Sequence, residues 1–195
     1  DDSFSNDGLR DDVARAVARG LQMVAAGADL LDLGAESTRP GAVPVDNQHQ
    51  LRRLEPVISA LRQVTPTPLS VDTQSAVVAD AALTAGAVMV NDVSGFGDLA
   101  MGEVVARHGA AWVLMHMPHA TGDMAWSTRS AVMDEGVQAG CARVVSDLSD
   151  AVTRAVAAGV ARSQLAVDPG VGFGKSLEQN LAFLLGPQGL DKLGL

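Results

Sequence analysis

Three side chains at the ends of apolar runs have the chemistry to hold one ligand together: Asp72 in PLSVD, Asn91 in AVMVND and Asp168 in QLAVD. An ionised carboxylate only accepts hydrogen bonds and can take two parallel N–H donors, while a carboxamide offers a donor group and an acceptor. Two carboxylates and one amide therefore match a flat heterocycle with an aminopyrimidine edge, whose amino group and ring N–H are adjacent donors. A single aspartate after a strand more often caps a turn or a helix start. That explanation weakens when all three are taken together. The same rim takes in Asp32 to Glu36, Asp92 and His116, so five successive apolar runs each end in a polar group.

The loops after these runs add further candidates. GAESTRPGA (34–42) presents Glu36, Ser37, Thr38 and Arg39 ahead of Pro40 and Gly41, and the planar guanidinium of Arg39 is suited to a phosphate or carboxylate. LAVDPGVGFGKS (165–176) comes close to a phosphate-binding loop. The pattern G-x-x-x-x-G-K-[ST] fits Gly174, Lys175 and Ser176, but its first glycine falls on Pro169. The dinucleotide pattern fails in turn, because its third glycine falls on Lys175. Lys175 is then either a solvated lysine or an anion contact at the following helix start. His116 and His119 in HMPHA lack a carboxylate or cysteine cluster to complete a metal site, so no metal ligand is assigned. The lone Cys141 sits among helix-forming residues and reads as a small packed hydrophobe.

The elements that must position these groups alternate regularly. Helical spacing covers 11–26, 47–62 (with Pro56 expected to kink or restart it), 75–85 and 99–108, and a long region reaches about 159. Strand-like runs fall at 28–34, 68–72, 87–92, 110–116 and 164–168, and Ser176 with Gln179 has the capping-box spacing for one more helix. The strands are continuously apolar, as in a parallel sheet with helices on it. A polar group at every strand end favours a (β/α) barrel over a doubly wound sheet, whose functional groups gather at one switch point. The chain has 195 residues and no domain-like linker, and reads as a single domain over 1–195. A formal charge of −9 argues against nucleic acid or an anionic membrane surface as partner. No apolar run approaches the roughly 18 residues of a membrane span, and one unpaired cysteine suits a reducing cytoplasm.

The blocks DDSFSNDG, GADLLDLGAESTRPGA, LSVDTQSAVVADAALTAGAVMVNDVSG, WVLMH and LAVDPGVGFGKSLEQN occur in an order that resembles the dihydropteroate synthase family, over essentially the whole chain. The resemblance implies a (β/α)₈ TIM barrel. It implies a transferase that joins 6-hydroxymethyl-7,8-dihydropterin pyrophosphate to p-aminobenzoate in folate synthesis, a reaction that sulfonamides inhibit at the aminobenzoate site. It assigns Asp72, Asn91 and Asp168 to the pterin. Thr38 and Arg39, with Pro40, fall to the loop closing over pyrophosphate and aminobenzoate, Phe173 to the aminobenzoate ring, and Phe4 and Ser5 to a second loop. Mg²⁺ is implied as an aid to the leaving pyrophosphate, and a homodimer as the assembly.

The sequence departs from the family pattern in places. Asn6 and Asp7 stand where the family has Asp and Gly, and Ala35 replaces a glycine. The family's magnesium-binding asparagine would precede residue 1, and its Ser-Arg-Lys and Arg-x-His blocks are not found. The expectation is therefore an incomplete barrel holding about strands 2–6, inactive as an isolated piece. Two alternatives stay open: the pterin domain of a methyltetrahydrofolate–corrinoid methyltransferase, and a non-catalytic paralogue.

Overall fold

The structure, a computed structural model, describes residues 12–37, 43–117 and 136–195. Phe4, Ser5, Asn6, Asp7, Thr38, Arg39, Pro40 and His119 lie outside the described residues. Among the described residues five strands alternate with helices: β1 (Leu31–Gly34), β2 (Leu69–Asp72), β3 (Met89–Asp92), β4 (Ala111–Met115) and β5 (Leu165–Asp168). Before β1 comes α1 (Val13–Ala25). Then follow α2 (Asn47–Val64), α3 (Ala76–Ala85), α4 (Met101–His108), α5 (Val137–Ala157) and α6 (Leu177–Leu185).

Helix starts follow local chemistry. The side chains of Asp12, Asp46, Ser75 and Ser176 each accept a hydrogen bond from the backbone N–H three residues on. At α6 the box is complete, since Gln179 also accepts from the Ser176 N–H. Helices α3 and α4 stop at Gly86 and Gly109, both in the left-handed region that glycine tolerates best.

The expected break at Pro56 does not occur, and α2 runs on from Asn47 to Val64. Pro56 is exposed, and so is Arg52, so the carbonyl that loses its helical partner belongs to a residue on the solvent side of the helix. Leu54, Val57, Ile58 and Leu61 hold the opposite face of α2 in the core.

All neighbouring strands pair in parallel, in the order β1-β2-β3-β4-β5. A doubly wound sheet reverses that order at its switch point. This one never does, and its helices pack in sequence, α1 on α2, α2 on α3 and α3 on α4. That is the course of a (β/α)₈ barrel, and the described residues supply five of its strands. Leu31, Leu69, Val71, Val90, Trp112, Leu114 and Leu165 turn to the helices and form the main core. A second cluster under the last turn of chain contains Cys141, Val144, Leu148, Phe183 and Leu193, so Cys141 is packed as a small hydrophobe.

Candidate functional site

The strand register sorts the side chains by face. Asp32, Ser70 and Met89 lie level on the face away from the helices, and one step further along lie Gly34, Asp72 and Asn91. Across β4 and β5 the same face carries Val113 with Ala166, then Met115 with Asp168. The helix face is hydrocarbon until the strand ends, while this one carries carboxylates and an amide beside Met89, Val113 and Met115. Asp72 and Asn91 are direct neighbours. Asp168 sits on the same face two strands away, roughly 10 Å across the sheet.

Asp32 lies beneath this pair. Asn91 donates from Nδ2 to Asp32 Oδ2 at 3.0 Å, and the Ser70 hydroxyl donates to the other oxygen of Asp32. A carboxylate only accepts, so it meets the NH₂ end of the amide and fixes which way Asn91 points. In the sequence Asp32 is a rim residue with no assigned role. The available signal was a charged residue inside an apolar run, in phase with Gly34.

Burial pushes the Asp72 carboxyl up to about 7, reinforced by the charges of Asp32, Asp92 and Glu36. N–H donors brought to these crowded carboxylates would favour the ionised form of Asp72. Asp168 accepts from the Gly170 N–H at 2.7 Å, so one of its oxygens holds the loop turn. Glu36 takes the Val45 N–H at 2.8 Å, with Gln50 Nε2 at 3.4 Å from its second oxygen.

Two rim residues face elsewhere. Asp92 is fully buried on the helix side, where it accepts from the Ser94 N–H, the Ser94 hydroxyl and the Phe96 N–H. Its role is to shape the turn after β3. His116 follows β4 onto the same side and bonds through Nε2 to Asp147 on α5 at 3.0 Å. A cleft of about 660 Å³ lined by Ser94, His116, Asp147 and Arg154 lies there, away from Asp72 and Asn91. Each is one residue out of phase with its site-facing neighbour, Asn91 or Met115, and so lands on the opposite face.

Lys175 is neither solvated nor free for an anion. It is 4% exposed, and its ammonium donates to the carbonyls of Gly170 (3.0 Å), Phe173 (3.1 Å) and His116 (3.2 Å). His116 Nδ1 stands 3.0 Å from the same nitrogen. A phosphate loop turns its N–H groups inward; this one turns carbonyls inward onto its own cation. Burial draws the Lys175 pKa down to about 8, with Asp168 opposing the shift. His116 is held below its usual range by burial and then by Lys175, against the pull of Asp147.

A singly wound parallel sheet with polar groups at the carboxyl ends of its strands defines the class, an α/β protein of the (β/α)₈ barrel type, in which the rim at those strand ends is the usual place for a site. The chain belongs to the pterin-binding enzyme family, whose model matches residues 1–193. It is 45% identical over 188 residues to the dihydropteroate synthase of Mycobacterium leprae, covering 94% of this chain and 63% of that protein. It is 35% identical over 194 residues to the Clostridium beijerinckii enzyme of the same name, covering 99% and 67%. Among solved structures, Xanthomonas albilineans dihydropteroate synthase with 4-aminobenzoic acid superposes with a TM-score of 0.83 at 37% identity, covering 99% of this chain and 67% of that one. The Yersinia pestis dihydropteroate synthase with a sulfonamide drug complex gives 0.88 at 36%, covering 100% and 68%. The chain thus spans roughly two thirds of the length of these relatives.

Proposed function

We propose that the protein carrying this chain is a dihydropteroate synthase, condensing 6-hydroxymethyl-7,8-dihydropterin pyrophosphate with p-aminobenzoate to give 7,8-dihydropteroate and pyrophosphate. The observation that carries the reading is the neighbouring pair Asp72 and Asn91, oriented by Asp32, on the rim that also bears Asp168. Asp72, Asn91 and Asp168 bind the pterin, whose amino and ring N–H groups supply donors to the crowded carboxylates. Phe173 flanks the aminobenzoate. Thr38, Arg39 and Pro40, with Phe4 and Ser5, serve the loops over pyrophosphate and aminobenzoate.

The reaction breaks the C–O bond between the pterin methylene and pyrophosphate and forms a C–N bond to the aminobenzoate amine, which then gives up a proton. Positive charge develops at the methylene as the leaving group departs. Carboxylates held in a partly dry site stabilise that charge, and orientation of the two substrates supplies much of the remaining acceleration. Mg²⁺, when bound, would neutralise charge on the departing pyrophosphate. Among the described residues no group of three ligating side chains is placed to hold a metal ion.

The protein works in the cytoplasm as a homodimer in this reading; a lone buried cysteine suits a reducing compartment. The test is calorimetric binding of 6-hydroxymethylpterin to the full-length gene product and to its Asp168→Ala variant, with product formation followed in parallel. Binding lost in the variant and turnover by the parent are expected. Undiminished pterin binding by the variant would favour a non-catalytic barrel.

A further inference from the structure

We propose that Lys175 is a positioning residue of this site: its buried ammonium is the internal cation around which residues 170–174 are wound, and it sets the place of Phe173. The inference rests on the reading of Phe173 as part of the aminobenzoate site. Nothing else assigned to the reaction uses Lys175, yet burying an unneeded lysine is costly unless its charge is fully bonded. Here it is. Three ammonium hydrogens face four acceptors, the carbonyls of Gly170, Phe173 and His116 and the Nδ1 of His116. With Nδ1 accepting, the ring proton sits on Nε2 and points to Asp147, so the clamp reaches from the loop through β4 to α5.

The backbone of the loop has been shaped for this. Gly170, Gly172 and Gly174 all have positive φ, and within this tightly turned stretch the carbonyls of Gly170 and Phe173 meet at one centre. A Cβ on Gly170 would stand 2.2 Å from the His116 carbonyl oxygen, so the loop lies directly on the end of β4. The loop amides are engaged elsewhere: Gly170 on Asp168, Phe173 on the Gly170 carbonyl, and Gly172 on Asn180. Asp168 keeps its own anchorage, because its carbonyl accepts from the His116 N–H at 2.8 Å within the β4–β5 pairing. Loss of the cation should therefore release Phe173 far more than Asp168.

The experiment compares Lys175→Met and Lys175→Ala with the parent in the full-length gene product. Met preserves the stem and its packing but cannot donate, so a role in volume alone would leave Lys175→Met unchanged. Expected in both variants is a rise of about tenfold or more in KM for p-aminobenzoate, with KM for the pterin substrate within about threefold. Added n-propylammonium should restore the aminobenzoate KM of Lys175→Ala only. Equal rises in both KM values, or no rise, would overturn the proposal. Hydrogen exchange of the peptide spanning 169–176 separates this from a failure of the functional reading. If exchange is no faster in Lys175→Met, the clamp is refuted whatever the activity. If exchange accelerates in a protein that makes no dihydropteroate, the clamp stands and the synthase reading falls.

Discussion

Replacing Asp72 by asparagine should make the ligand-free protein more stable, and by an amount that depends on pH. The folded carboxyl has a pKa of about 7 against an ordinary value of 3.8. Between those values the folded chain keeps a proton that the unfolded chain has released, so stability is lost as pH climbs from about 4 towards 7, and the penalty is complete above that. The gap corresponds to about 4 kcal/mol at pH 8, and to about 2 kcal/mol at pH 5, where part of the penalty has not yet developed. Asparagine keeps the shape, carries no charge to desolvate, and brings an NH₂ group to the carboxylates of Asp32 and Glu36. The assay is urea unfolding of parent and Asp72→Asn at both pH values, read as the difference between the two proteins. A variant less stable than its parent at pH 8, or a difference that does not grow with pH, would refute the reasoning. Under the proposed function the same variant loses pterin affinity, so stability and binding should move in opposite directions. That is the expected mark of a site holding charges in readiness for a ligand.

Asp32→Ala should free the Asn91 amide and weaken pterin binding about tenfold by calorimetry while leaving the aminobenzoate KM nearly unchanged, since the cost is one charge-assisted hydrogen bond. Gly170→Ala should destabilise the fold by at least about 2 kcal/mol in urea, because its φ of 68° is strained for alanine and its methyl would overlap the His116 carbonyl. Pro56→Ala should stabilise by roughly 1–2 kcal/mol by restoring a helical hydrogen bond on the exposed side of α2, visible as a higher Tm.

Much of this protein is written locally. Aspartate or serine three residues ahead of its backbone donor starts α1, α2, α3 and α6, and apolar runs with polar ends mark the five strands, because propensity and period act over a few neighbours. Asp72 and Asn91 were legible as partners in kind, since the chemistry of a carboxylate beside an amide needs no coordinates. Their adjacency needed the register of β2 on β3, and the orientation of Asn91 needed Asp32, 59 residues away. Asp92 and His116 looked like members of the same rim until the strands placed them on the helix face, where a single residue of phase separates ligand site from scaffold. Pro56 looked like a break, but the face it occupies is solvent, and only packing reveals that. The clearest case is Lys175. By sequence alone it follows a glycine loop and ends a spoiled phosphate motif, which determines the turn and the helix after it. That the lysine folds inward was decided by carbonyls of residues 116, 170 and 173 converging on one point. A buried charge is tolerable only where distant parts of the chain meet to bond it, and that meeting exists only in the tertiary structure.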